Sequence, residues 1–375
     1  MLRRLDMIWH RQFSHRRRIY LSSVLLIVPV IVLSVWIVQH SSRPSASTST
    51  VGNQFSQPVK IGTVEDGPTP KAPTPAPTPN PTHSPVPLTP SPPFLFGVGP
   101  ELDQALNYRI TKEAPIKLLS SWYNGSKDLN FMTGWRSSIV PKAYASGYAL
   151  HLIIYSNDAE QNLDTPYGAA CGRPYPLSGQ FLSDMQQLAQ IFAGGKLYVS
   201  MFTEFQTYPC IDNTWASGEN YYRAVKDQYL AAMDSFHKLA PGSQVSLSWG
   251  GWQTNWDDAG QGGGRSLFKH FSDVMNASDF QSFQMMSTTS NLGIIRDMVT
   301  ALQPYNGGTM VAHYKPDDGN QSTFNSDMTD IFTPANMASL QQNGLFAFSF
   351  MDTNNMNSSE ETYQSVKKNI ESYAR

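Results

Sequence analysis

At 375 residues the chain has room for two or three domains, yet its first quarter lacks the composition of a globular core. A formal net charge of −2 excludes a chain built as a whole to bind nucleic acid or an acidic partner. The charge is unevenly placed. Residues 1–18 hold Arg3, Arg4, Arg11, Arg16, Arg17 and Arg18 against one acid, Asp6.

The uncharged run Ile19–Gln39 follows, dense in Val, Ile and Leu. At ~1.5 Å rise per residue such a helix covers about 30 Å, the thickness of the hydrocarbon layer. A cleaved signal peptide is the alternative, but its apolar region is usually only about 7–15 residues long. Residues 19–39 are therefore read as a signal-anchor helix in a lipid bilayer. The basic stub 1–18 stays in the cytoplasm and everything after residue 40 lies outside the cell. Residues 40–93 are Ser/Thr-rich and then Pro/Thr-rich, ending in PTPKAPTPAPTPNPTHSPVPLTPSPP. Closely spaced prolines remove backbone donors and favour extended polyproline II, so this stretch reads as a disordered spacer. The only two cysteines, Cys171 and Cys210, fall in the exterior part, where an oxidising compartment favours a disulfide between them. No Cys/His spacing suits a metal, and no cofactor is implied.

From Phe94 the texture changes to short apolar runs alternating with amphipathic stretches. Eight runs read as strands: Phe94–Gly99, Ile116–Trp122, Ala149–Ser156, Lys196–Thr203, Gln244–Trp249, Gln281–Met286, Thr309–Tyr314 and Leu345–Met351. The clearest helical patterns between them are Leu177–Phe192 and Glu219–Leu239. Thr333-Pro334 opens another helix, and a last one starts with Ser358 and Glu361 in capping-box spacing. Strands alternating with helices imply parallel pairing through right-handed crossovers. Eight such units over residues 94–375 predict an α/β fold of the (β/α)₈ TIM-barrel type. An open doubly wound sheet is the alternative, but Gly97-Val98-Gly99 lacks the rest of a dinucleotide-binding loop.

In such barrels the active site lies at the C-terminal ends of the strands. Those ends offer Trp122 on the second strand, then Tyr155 and Asp158 on the third. The fourth gives Glu204 and Gln206, the fifth Trp249 and Trp252, and the sixth Gln284. The seventh brings His313, Tyr314, Lys315 and Asp317, and the eighth Asp352. Aromatic faces beside carboxylates and amides suit a sugar, whose C–H face packs on a ring while its hydroxyls need planar partners. Trp122, Tyr155, Asp158, Gln206, Trp249, Trp252, Gln284, His313 and Tyr314 are accordingly the candidate binding residues. Glu204 is the sharpest candidate. It follows the apolar strand Leu197–Phe202 and is the only acid between Lys196 and Pro209. A charge at that depth needs partners or a function.

This arrangement resembles the large clan of (β/α)₈ glycoside hydrolases in which the acid/base glutamate ends the fourth strand. Only Glu204 matches that pattern residue by residue. The clan usually has Asn before the glutamate, where this chain has Thr203, and its nucleophile is a glutamate ending the seventh strand. Here that end reads His313-Tyr314-Lys315-Pro316-Asp317-Asp318, and no glutamate occurs between Glu219 and Glu360. The resemblance implies a hydrolase of a polysaccharide with Glu204 as acid/base. In the absence of the seventh-strand glutamate, Asp317, Asp352 and Asp258 are the candidates for the second carboxylate, and the anchor sets the enzyme at the cell surface. A non-catalytic glycan-binding module on the same barrel is the alternative.

Overall fold

The computed structural model describes residues 94–155, 159–206, 215–257 and 266–374. The stub, the apolar run Ile19–Gln39 and the Pro/Thr stretch lie outside them. Among the described residues no helix is long and apolar enough to cross a membrane.

Among the described residues there are ten strands. They are β1 (Leu95–Val98), β2 (Leu118–Tyr123), β3 (Ala149–Tyr155), β4 (Gln161–Thr165), β5 (Gly168–Gly172), β6 (Leu197–Thr203), β7 (Ser243–Gly250), β8 (Gln281–Met285), β9 (Thr309–Tyr314) and β10 (Leu345–Phe350). Eight of them pair in parallel in the closed order β1-β10-β9-β8-β7-β6-β3-β2, with β1 bonded to both β10 and β2. The fold is a (β/α)₈ barrel. The remaining strands, β4 and β5, form an antiparallel hairpin after the third barrel strand. That hairpin was not expected from the sequence, because half of its strand residues are exposed and they carry no apolar alternation.

Outward residues of the strands, such as Leu152, Val199, Leu247, Phe283 and Val311, share one core with the helices. The helix Leu292–Leu302 shows why it lies on the barrel: Ile295, Met298, Val299 and Leu302 are buried and repeat at i, i+3, i+4 and i+7. The helix Pro334–Gln342 starts as predicted, with Thr333 Oγ1 accepting from the Asn336 amide at 3.2 Å. The last helix, Glu360–Tyr373, begins one residue later than the capping-box reading. Ser359, not Ser358, caps it by accepting from the Thr362 amide at 3.1 Å.

Inside the barrel the residues form layers. Leu118, Tyr198, Phe280, Met310 and Ala347 plug the N-terminal end. Above them lies a polar layer. His151 is bracketed by Ser120 (Nδ1 to Oγ, 3.1 Å) and Ser200 (Nε2 to Oγ, 2.9 Å), and Ser120 reaches Ser349 at 2.7 Å. Ser246 donates to Ser282 at 3.0 Å on the other side. Barrel interiors of this kind are usually filled by branched apolar side chains, so a serine-lined middle leaves a polar floor beneath the C-terminal mouth.

One buried acid braces the wall below that mouth. Asp184, on the helix Phe181–Phe192, is fully buried and accepts from Tyr123 Oη (2.7 Å), Tyr175 Oη (2.9 Å), Ser126 Oγ (2.5 Å) and Gln180 Nε2 (2.7 Å). Burial alone would raise its pKa, but the four donors outweigh burial and hold it below the ordinary 3.8. A depressed carboxyl stabilises the fold above its unfolded pKa and loses that contribution as pH falls through the folded value. Asp184→Ala should therefore cost about 2–3 kcal/mol at pH 7, because it strands buried hydroxyls. Urea unfolding of parent and variant should show the gap narrowing below pH 3.8.

Candidate functional site

Glu204 is presented by a distortion at the end of β6. In the β3–β6 ladder Ile154 pairs with Met201 and Tyr155 with Thr203, so Phe202 is an extra residue on β6. Such a bulge re-aims the side chains that follow it. Both Phe202 and Glu204 take φ of +62°, a conformation that costs bulky residues about 1–3 kcal/mol each. The turn is clamped from behind. Phe202 packs on Phe181 (centroids 5.2 Å apart), Phe205 packs on Trp249 and Phe271 (5.0 Å each), and the Phe205 amide bonds the Phe202 carbonyl at 2.8 Å. Backbone strain held by buried packing, at the one acid of this segment, makes the turn the leading candidate for the site.

Each Glu204 oxygen accepts a hydrogen bond: Oε1 from Gln284 Nε2 at 2.6 Å and Oε2 from Tyr155 Oη at 2.9 Å. Gln284 in turn receives His313 Nε2 on its Oε1 at 2.8 Å. The Trp122 ring lies edge-on to His313 with centroids 4.5 Å apart, and 6.3 Å from Tyr155. Trp122, Tyr155, Glu204, Gln284 and His313, all named from the sequence, thus meet at the barrel mouth. His313 is fully buried, and burial, with His151 nearby, pushes its pKa down to about 3, so the ring is neutral at physiological pH.

His313 faces inward because β9 also bulges. Phe283 pairs with Val311 and Gln284 with His313, which makes Ala312 the extra residue. The same shift turns Tyr314 outward, against the expectation that it binds substrate. Its ring packs on Phe348 and Phe324, and its hydroxyl donates to Asp327 at 2.8 Å. Trp249 is likewise placed away from the mouth. It shares strand parity with Val245 and Leu247, opposite Ser246 and Ser248, and packs on Phe205, Phe268 and Phe271.

Trp252 is different. A Cβ on Gly250 would come within 2.5 Å of its indole, so the ring lies against the bare backbone where β7 ends, half-buried. Only glycine permits that approach. Gln206 is buried and donates to Gln253 Oε1 at 3.2 Å, and Gln253 donates to Asp257 at 2.9 Å, so it ties the Glu204 turn to the loop after β7. Asp352 accepts from Lys315 Nζ at 2.6 Å and from the Asn354 amide at 2.9 Å. Asp317 is half-buried on the turn after β9, its amide bonded to the Ser287 carbonyl at 3.3 Å. Asp158, Asp258 and Cys210 lie outside the described residues, whereas Cys171 is on β5. Among the described residues no group of three or more His, Cys, Asp or Glu side chains could hold a metal ion. The serine layer beneath the mouth went unread in the sequence, although its signal is there: Ser246 and Ser248, Ser282 and Ser349 recur on the inward parity of their strands.

No family model and no curated protein matches the sequence. Solved structures similar to it include a beta-1,4-mannanase from the common sea hare Aplysia kurodai. The two are 12% identical over 76% of this chain and 93% of that one, with a TM-score of 0.43. A broad-specificity endoglucanase from an uncultured bacterium is 10% identical over 73% and 88%, TM-score 0.45. A thermostable mutant of a xylanase from Cellvibrio japonicus is 11% identical over 74% and 98%, TM-score 0.41. Likeness at this level fixes neither activity nor substrate.

Proposed function

We propose that residues 94–375 are a glycoside hydrolase-like domain acting on a polysaccharide, with Glu204 as general acid/base. The observation that carries this reading is the strained, bulged turn that sets Glu204 in the barrel mouth, its oxygens engaged by Gln284 and Tyr155, with the Trp122 ring beside Tyr155. Glycoside hydrolysis needs a proton donor to the leaving oxygen and a second carboxylate that attacks or activates water. Asp317 and Asp352, after the seventh and eighth barrel strands, are the candidates for that second role. Asp352 is already held by Lys315.

A second reading, glycan binding without cleavage, draws on one observation. The inward side chain at the end of the seventh barrel strand is the buried, neutral His313, and both partners of Glu204 named above are uncharged. A panel of wall and plant polysaccharides, assayed for reducing-end release and for binding by the full chain, separates the two. Release establishes the hydrolase, binding alone establishes the module, and neither refutes both.

The same proposal includes the tether: anchor 19–39, spacer 40–93 and a domain outside the cell. Its support is the run Ile19–Gln39 behind six arginines. Full-length protein should fractionate with membranes of its host. Mature protein in the medium, with its N-terminus after residue 40, would contradict the uncleaved anchor. We also propose the Cys171–Cys210 bridge, since Cys171 holds no free thiol. It would close a loop of about 40 residues and add roughly 2–4 kcal/mol, lost on reduction. Non-reducing peptide mapping should recover the linked pair, and two alkylatable thiols in protein purified without reductant would rule it out.

A further inference from the structure

We infer that His313 is a positioning residue, which holds Glu204 in place through the side-chain amide of Gln284. The inference rests on the reading of Glu204 as the working carboxylate.

The direction of each bond follows from what the groups can do. Glu204 Oε1 accepts, so the Gln284 group facing it at 2.6 Å is the NH₂. That turns Gln284 Oε1 toward His313, and a carbonyl oxygen can only accept. The His313 Nε2 at 2.8 Å therefore carries the proton. With the ring neutral, Nδ1 keeps a lone pair. Nδ1 is buried and has no hydrogen-bond partner among the described residues. A general base needs a lone pair facing the substrate. Here one nitrogen is committed to Gln284, the other is buried, and the ring is 0% exposed.

What His313 does have is a fixed plane and a fixed tautomer. The bulge at Ala312 aims the ring inward, and Trp122 rests against it at 4.5 Å. The Glu204 carboxylate favours the donating orientation of the Gln284 amide from one side, and the His313 proton favours the same orientation from the other. The flipped one sets oxygen against the Glu204 carboxylate. The proton on Nε2 thus anchors the far end of the amide in the orientation that donates, and Glu204 keeps its place between Gln284 and Tyr155.

The test uses the full chain labelled with ¹⁵N-histidine, observed by NMR at pH 7, with the His313 signal assigned by its loss in His313→Gln. The expected result is a neutral ring protonated on Nε2. An Nδ1–H tautomer or an imidazolium overturns the proposal, whether or not any glycan has been found. On a polysaccharide that the parent cleaves, His313→Leu should lower kcat by about 10²-fold with KM little changed, as misplacing a catalytic group does. His313→Gln, which retains an N–H donor, should keep most of the parent rate. Equal losses in both variants, or a parent-like rate in a folded Leu variant, overturn the positioning role. A parent without turnover counts against the hydrolase reading of Glu204, while the NMR result still decides whether His313 orients Gln284.

Discussion

Glu204→Gln should abolish turnover of a responsive polysaccharide while leaving the melting temperature of the parent. The substitution fits its surroundings. The new carbonyl oxygen can accept from Gln284 as Oε1 does now at 2.6 Å, and the new NH₂ can donate to the Tyr155 oxygen, whose hydroxyl rotates to suit. Shape and bonding survive, but the amide has no proton to give to a leaving oxygen. General acid–base help is worth about 10²–10⁴-fold, so the loss should be large rather than partial. Tyr155→Phe removes one of the two donors and leaves the carboxyl, so its effect should be the smaller one. The binding-module reading predicts a different result: no turnover in the parent and glycan affinity little changed by Glu204→Gln.

The two tryptophans near the end of β7 should respond in opposite ways. Trp249→Ala should destabilise the fold by about 3–5 kcal/mol, the range for emptying a large buried site. Its indole is fully buried against Phe205, Phe268 and Phe271, so the cavity would open behind the Glu204 turn. Trp252→Ala should leave urea unfolding nearly unchanged and sharply reduce glycan affinity. That ring is half-buried and lies on the bare Gly250 backbone, where a sugar face can reach it. Unfolding midpoints and affinities measured on both variants check the assignment. A stable Trp249→Ala protein that has lost affinity would show that the roles are exchanged.

The difference between these residues also shows what the sequence could and could not say. Alternating apolar and amphipathic segments sufficed for the barrel, because parallel strands joined by helices have few other solutions. Glu204 was legible as a lone acid at the end of a largely apolar strand, where a charge needs partners or a function. Trp122, Tyr155, Gln284 and His313 were legible as strand-end residues. Trp249 and Tyr314 were placed by proximity to a strand end, where parity decides which face a residue takes. Parity could have been read for Trp249, which alternates with Ser246 and Ser248. It could not have been read for Tyr314 or Glu204, because the extra residues at Ala312 and Phe202 break the count, and a bulge leaves no periodic signature. The hairpin β4–β5 was invisible for a related reason. Its apolar docking is confined to a few small or scattered residues, with Ala170 in the core, Leu163 packed against it and Gly172 lying on the Tyr221 ring. It is completed by Tyr167 Oη to Asp227 at 2.5 Å and Arg223 over the Tyr167 ring at 4.0 Å.

A crystal structure of the Glu204→Gln chain with an oligosaccharide that the parent binds would show whether residue 204 faces a bound sugar. The expected result is a sugar stacked on Trp252, with a glycosidic oxygen roughly 2.6–3.2 Å from the side chain at position 204. A sugar seated instead at the opposite end of the barrel, in the groove between Lys117, Tyr144, Tyr148 and Lys196, with the mouth empty, would contradict it.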